Sequence, residues 1–235
     1  MQLFYNPTIT IKSNTFTFDK TESRHIVRVL RKQEGDQLHI TNGNGVLFVA
    51  EVSLASDKKC LVNIISITEK KKAWGYYLHI AVAPTKLNER LEWFIEKAIE
   101  IGVDEITPII CKHSERKIIK LERFEKIALS AMKQSLKFHL PKINPAVSFK
   151  EFMTRNPNGE LFIAHCEKQD KKSFKQEIKK NTDVTILIGP EGDFSTSEIQ
   201  LALQNKYTPV SLGESRLRTE TAALVACHSV AFVNE

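Results

Sequence analysis

The feature that most limits what this chain can fold into is a change of hydrophobic rhythm near residue 70. Before it, apolar residues alternate with polar ones in short runs: Phe16 and Phe18; Leu38 and Ile40; Val46, Phe48, Ala50 and Val52; then Leu61 to Ile67. A period of two puts successive side chains on opposite faces of a strand, so these runs predict short strands with one face in a core. Asn42-Gly43-Asn44-Gly45 supplies the small, positive-φ-tolerant residues that a hairpin needs and predicts a turn in a small barrel or sandwich. Only Glu22 to Arg31 has helical spacing in this part. Thr68 to Trp74 is polar and unpatterned and marks a linker near residues 68 to 75. From Tyr76 onward, strand-like runs (78–83, 106–110, 161–164, 184–188, 210–212) alternate with helical patterns, among them 88–101 and 121–136. That alternation predicts an α/β domain over 75–235 with a mainly parallel sheet, preceded by a smaller β domain over 1–70.

Two loops in the second part carry chemistry. Val184 to Ile188 ends at Gly189-Pro190-Glu191-Gly192, and Ser195 with Glu198 has the spacing of a helix capping box. Val210 to Leu212 ends at Gly213, and Thr219 is placed to cap a helix through Phe232. Such strand-to-helix loops lie where open α/β sheets bind ligands, and glycine lets backbone approach a ligand closely. The same loops also serve merely to reverse the chain. The cluster Glu191, Asp193, Glu214, Arg216, Arg218 and Glu220 is more charge than reversal requires. Neither loop has the spacing of a dinucleotide fingerprint or a P-loop.

Charge and cysteine usage narrow the classes. Of the formal +6, residues 1 to 72 hold 11 Lys+Arg against 7 Asp+Glu, or +4, leaving +2 for the rest. Arg24, His25, Arg28, Arg31 and Lys32 fall in that basic part, with 24, 28, 31 and 32 at helical spacing; they read either as a phosphate-binding face or as a solvated one. Cys60, Cys111, Cys166 and Cys227 form no C-x-x-C pair, so neither a metal site nor a disulfide scaffold is expected. No apolar run reaches the ~20 residues of a membrane helix and the first residues lack a signal-peptide pattern, so a cytoplasmic location is expected.

Gly189-Pro-Glu-Gly192 with Ser195 and Glu198, Leu212-Gly213, and Leu217-Arg-Thr-Glu-Thr-Ala222 closely resemble the 16S ribosomal RNA N3-methyluridine methyltransferases of the SPOUT superfamily. His25 to Arg31 resembles that family's N-terminal RNA-binding signature, and Glu96 to Val103 with Ile106-Thr-Pro108 its central helix and strand. The resemblance implies an N-terminal PUA-like β-barrel and a C-terminal α/β domain with a deep trefoil knot. It implies S-adenosylmethionine held by Leu187, Ile188, Gly189, Pro190, Glu191 and Gly192, and by Leu212, Gly213, Ser215, Leu217 and Thr221. It further implies a homodimer without metal, acting on 16S ribosomal RNA within the small subunit, with Gln134 and Lys137 joining the basic N-terminal residues on the RNA.

In this sequence Lys137 stands where many relatives have Arg, and Asp193 where Gly is commoner. Methyl transfer to a uracil N3 needs a group to stabilise charge on the uracil oxygens and a group to take the N3 proton. Arg218 is the first choice for the former, against a structural ion pair with Glu191 or Glu220. Glu220, with Glu191 as the alternative, is the candidate base.

Overall fold

A computed structural model describes residues 1–167 and 171–235, arranged as two compact units: 1–72 with 132–140, and 73–131 with 141–235. The first unit is built on strands β1 (Leu3–Tyr5), β2 (Thr15–Thr17), β3 (Gln37–Thr41), β4 (Val46–Leu54) and β5 (Leu61–Glu69), with a short helix α1 (Lys20–Arg24) between β2 and β3. The sheet order is β1-β3-β4-β5-β2. Along β4, Phe48, Ala50 and Val52 are buried while Glu51 is exposed, which is the period-two pattern read from the sequence. Two register shifts against β5, at Val49/Ala50 and Val52/Leu54, curl the sheet around Phe4, Ile26, Ile40, Phe48 and Val62.

The turn Asn42 to Gly45 does connect β3 to β4, and its glycines have φ of +77° and +81° at Gly43 and Gly45. A Cβ on Gly43 would come 2.8 Å from the Tyr5 ring, and one on Gly45 2.5 Å from the His139 imidazole. His139 belongs to the segment 132–140, which the rhythm of the sequence assigns to the second domain. Its backbone is stitched to this turn instead: Gly45 N donates to Phe138 O (2.8 Å) and Leu140 N to Gly43 O (2.8 Å).

The helix expected over 22–31 is interrupted. α1 ends at Arg24, and His25–Val29 forms a π-helical turn in which Leu30 N bonds His25 O (2.9 Å). Arg31 then takes φ +55°, outside any helix. The wider turn shifts every later side chain around the axis, so Arg24, Arg28, Arg31 and Lys32 do not share one helical face.

The second unit contains β6 (Leu78–Val82), α2 (Asn88–Ile101), β7 (Glu105–Ile110), α3 (Leu121–Gln134) up to Ala131, β8 (Lys142–Ile143), β9 (Val147–Ser148), α4 (Phe149–Met153), β10 (Glu160–Ala164), β11 (Lys172–Ser173), α5 (Phe174–Glu177), β12 (Val184–Ile188), α6 (Thr196–Gln204), β13 (Thr208–Ser211) and α7 (Thr219–Asn234). Lys171 to Lys180 is rich in charge, but the segment forms β11 followed by the four residues of α5 rather than one solvated helix.

The sheet runs β11-β13-β10-β12-β6-β7-β8, with β9 also on β7 and every pair parallel. β6 and β12 are buried along their whole length, as strands covered on both faces must be. Ala81 and Leu187 pack with α4 and α6 through Phe149, Phe152, Ile199 and Ala202. Alternation sends Ile80, Val82, Ile186 and Ile188 to the other face, where α7 packs on β6 and β12 and against α2. α2 ends at Gly102, φ +139°, whose N–H bonds Ala98 O, the C-terminal cap read from the sequence. No helix of the described residues is long and apolar enough to cross a membrane.

Candidate functional site

Near their ends the central strands share one register row: Val210 on β13, Ala164 on β10, Ile188 on β12 and Val82 on β6. Just beyond it lie the two glycine loops. The first is braced from three sides. Ala83 N donates to Ile188 O (2.9 Å), Lys86 N to Glu191 Oε1 (3.0 Å), and His113 Nδ1 faces the carbonyls of Gly192 (3.1 Å) and Asp193 (3.0 Å), which makes that nitrogen the protonated one. The capping box is present: Glu198 Oε2 accepts from Ser195 N and Ser195 Oγ, both at 2.8 Å. Its other oxygen accepts from Lys112 N (2.8 Å).

The space around the three glycines differs. A Cβ on Gly189 would stand 3.1 Å from the Phe194 ring, and one on Gly192 3.1 Å from His113 Cβ, so the chain itself crowds both positions. Gly213 is different, with φ +131° and open space where a Cβ would be. Among the described residues, the backbone from Glu214 to Leu217 makes no hydrogen bond, which leaves its polar groups available to a ligand. Leu187, Ile188, Gly189 and Pro190 are buried, whereas Glu191, Gly192, Gly213, Glu214, Ser215 and Arg216 are exposed.

Asp193 has φ +61°, in the left-handed region where glycine is at ease. Its carboxylate compensates: Oδ2 accepts from Cys166 N (2.7 Å) and Oδ1 from Phe194 N (2.8 Å), tying the loop after β10 to the loop after β12.

The two glycine loops meet at the start of α7. The N-cap there is Arg218, not Thr219; the Thr219 hydroxyl is buried and donates to Gly189 O (3.0 Å). Arg218 is exposed and, among the described residues, is paired with neither Glu191 nor Glu220. Glu220 is buried at 7% exposure and its Oε1 lies 3.7 Å from Arg90 Nε on α2. Its second oxygen, Oε2, is buried with no partner among the described residues. Thr221 and Leu217 are half-buried beside it.

Arg90, Lys86, His113 and Arg116 escape a reading of the sequence because their partners lie far along the chain. Arg116 donates through Nε (3.2 Å) and Nη2 (2.9 Å) to Lys86 O, and Lys86 Nζ pairs with Glu115 Oε2 (3.0 Å). Lys86, Glu115, Arg116, Lys117 and Ile118 line an open cleft of about 470 Å³ next to the first loop.

In the first unit, Arg24 and Arg31 are exposed and the His25 ring lies 6.3 Å from that of Phe4. Arg28 donates through Nε (3.0 Å) and Nη2 (2.7 Å) to Asp57 Oδ2, which holds the Asp57 carboxyl below its usual range. Lys32 is half-buried, Gln134 is exposed, and Gln134 and Lys137 lie in the 132–140 segment of this unit.

Residues 73–231 match the family model of an RNA methyltransferase domain, and residues 18–65 that of an RNA methyltransferase PUA domain. The chain is 33% identical over 222 residues to the ribosomal RNA small subunit methyltransferase E of Buchnera aphidicola, covering 91% of this chain and 86% of that protein. Among solved structures, the probable rRNA-methyltransferase of Porphyromonas gingivalis superposes with a TM-score of 0.92 at 44% identity, covering 100% of this chain and 98% of that one. A ribosomal RNA small subunit methyltransferase E from Neisseria gonorrhoeae, solved bound to S-adenosyl methionine, superposes with a TM-score of 0.84 at 25% identity, covering 100% and 98%.

Proposed function

The chain belongs to the RNA methyltransferase family, and we propose that it methylates N3 of one uridine in the 16S ribosomal RNA of the small subunit, with S-adenosylmethionine as donor. The observation that carries this reading is the meeting of both glycine loops at the first turn of α7, where Thr219 is bonded to Gly189 and Arg218 and Glu220 flank that bond in sequence.

The residues suit the cofactor. Unengaged backbone from Glu214 to Leu217, open space at Gly213 and a buried, unpartnered Glu220 oxygen are the surfaces a polar nucleoside ligand requires. Leu187 to Gly192 and Leu212, Gly213, Ser215, Leu217 and Thr221 would hold it. When bound, S-adenosylmethionine supplies a methyl group on a sulfonium, an electrophile that no side chain can provide. Arg218, free of any carboxylate partner among the described residues, stabilises negative charge on the uracil oxygens. Glu220 takes the N3 proton on Oε2, and Arg90 holds the other oxygen so that the carboxylate stays oriented.

The C-terminal domain is read as a SPOUT trefoil knot. In support, the chain leaving β13 must return past β10 to bring α7 onto β12 and β6, and it passes the Gly189 loop on the way. A homodimer is supported by large apolar side chains exposed on the paired helices α2 and α7: Trp93 at 44% and Phe232 at 61%, the latter stacked on His228. A ribosomal substrate supports a cytoplasmic location, and Arg24, His25, Arg28, Arg31, Lys32, Gln134 and Lys137 are the proposed RNA contacts.

The test is to incubate the protein with isotopically labelled S-adenosylmethionine and small subunits lacking the modification, digest the RNA and identify the labelled nucleoside. Labelled N3-methyluridine from 16S RNA is the expected result. A ribose-methylated nucleoside, or no label despite cofactor binding, overturns the assignment.

A further inference from the structure

His165 is the first residue after β10, one step beyond the row Val210–Ala164–Ile188. That places it between the two glycine loops, level with Ser211 on one side and Gly189 on the other. Its side chain is buried at 6% exposure, yet neither Nδ1 nor Nε2 has a partner among the described residues. Burying polar ring nitrogens without hydrogen bonds is unfavourable, and native chains rarely leave such groups unmatched without a use for them.

The surrounding backbone is, by contrast, held by side chains. The carbonyl of His165 accepts from Lys171 Nζ, Cys166 N donates to Asp193 Oδ2 at 2.7 Å, and the carbonyl of Glu167 accepts from the same Lys171 at 2.8 Å. Thr196 Oγ1 adds a bond to Glu167 Oε1 at 2.7 Å. The chain therefore fixes the position of the imidazole while leaving both of its nitrogens unused. Ordinary folding stability would favour an apolar ring there.

We propose that His165 is a ligand-binding residue whose ring hydrogen-bonds a neutral donor–acceptor group of the nucleoside half of the cofactor, an adenine edge or a ribose hydroxyl. This rests on the S-adenosylmethionine reading above. Burial first, then the nearby Lys171 ammonium, lowers the ring's pKa and keeps it neutral at ordinary pH. A neutral imidazole offers one donor and one acceptor, the complement of an uncharged group that carries both. A carboxylate or a sulfonium would be matched by a charged partner instead. No sequence pattern marks this residue, since one His after an apolar strand has no spacing to recognise.

The experiment measures dissociation constants by calorimetry for S-adenosylhomocysteine and for 5′-methylthioadenosine, which keeps the nucleoside and lacks the amino-acid half, without RNA. The proteins are wild type, His165→Phe and His165→Gln. His165→Phe is expected to weaken both ligands about tenfold, while His165→Gln, which retains a donor and an acceptor, recovers most of the loss. The unliganded His165→Phe protein is expected to melt at or above the wild-type temperature, which separates lost binding from lost folding.

Equal affinities in His165→Phe and wild type overturn the proposal. So does weakening of S-adenosylhomocysteine with 5′-methylthioadenosine unaffected, which would assign the ring to the amino-acid half. Unchanged cofactor affinity with a raised KM for RNA would assign it to the substrate and overturn it too. If wild type binds neither compound, the cofactor reading itself fails, an outcome distinct from all of these.

Discussion

Arg90 on the first turn of α2 and Glu220 on the first turn of α7 face each other at 3.7 Å (Nε to Oε1), across 130 residues of chain, with the Glu220 side chain 9% and the Arg90 side chain 32% exposed. Removing Arg90 leaves a nearly buried carboxylate with no cation beside it, which costs more than the pair itself contributes. Arg90→Ala is expected to lose about 2 kcal/mol of stability, discounted from the fully buried case for the exposure of Arg90, read as a lowered urea midpoint. Glu220→Gln keeps shape but not proton affinity. It is expected to lower kcat at least about 100-fold with little change in cofactor affinity. Unchanged turnover in Glu220→Gln would remove it from the proton path.

Arg218 caps α7 without a side-chain hydrogen bond and is exposed, so its replacement disturbs little of the fold. Arg218→Ala is expected to reduce turnover far more than cofactor affinity, by about 100-fold or more in kcat if it stabilises developing charge. Single-turnover rates and equilibrium binding measured on the same preparation separate the two. Equal loss in both would make Arg218 a cofactor ligand instead.

A buried network elsewhere in the second unit sets a pH limit on stability. His79 Nε2 lies 2.7 Å from Thr107 Oγ1, and Glu105 accepts from Asn144 (2.6 Å), Lys142 (3.1 Å) and Tyr77 (2.8 Å). Burial lowers the His79 pKa to about 4, against the pull of Glu105. The unfolded chain therefore binds a proton that the folded chain refuses. Stability from this group is complete above the unfolded value of about 6.5 and is lost as pH falls through the folded value, by up to about 3 kcal/mol. His165, also lowered, acts in the same direction. Urea midpoints measured from pH 7 to pH 4 are expected to fall, and His79→Gln is expected to flatten part of that slope.

Arg28 already spends part of its charge on Asp57, whereas Arg31 is exposed and, among the described residues, in no ion pair. Arg28→Ala/Arg31→Ala is expected to weaken RNA binding and to reduce the slope of log affinity against log salt by about one to two. Asp57→Ala should do the reverse by freeing Arg28. Binding of the double variant indistinguishable from wild type would exclude this segment from the RNA contact.

How much of this was visible in the residues depends on the range of the interaction. The strands at 78–82, 184–188 and 208–211 and the helix 88–101 follow from local rhythm and from Gly102, and the structure has them nearly as read. The Ser195–Glu198 capping box is likewise local and present. The π-turn at His25–Val29 is a matter of one extra residue per turn, which periodicity over ten residues cannot resolve. Thr219 looked like a cap because threonine often is one; its hydroxyl was claimed instead by Gly189, thirty positions earlier. Segment 132–140 joined the first unit through bonds to a turn about ninety residues away, a contact no local pattern encodes. Arg90 and His165 were silent for the same reason: each is defined by what surrounds it in space.

The Thr219–Gly189 bond also bears on the order in which the protein becomes competent during synthesis. A chain leaving the ribosome presents β6, β10 and β12 well before α7, so the sheet can assemble while the first glycine loop still lacks its anchor. The hydroxyl that holds the Gly189 carbonyl arrives only with α7. Nascent or prematurely terminated chains ending before Arg218 would have most of the sheet and the proposed RNA-contacting residues, but neither Arg218 nor Glu220, nor the turn that joins the two glycine loops. Completion of the candidate site is thus expected among the last events of synthesis, a consequence of the connectivity of two loops.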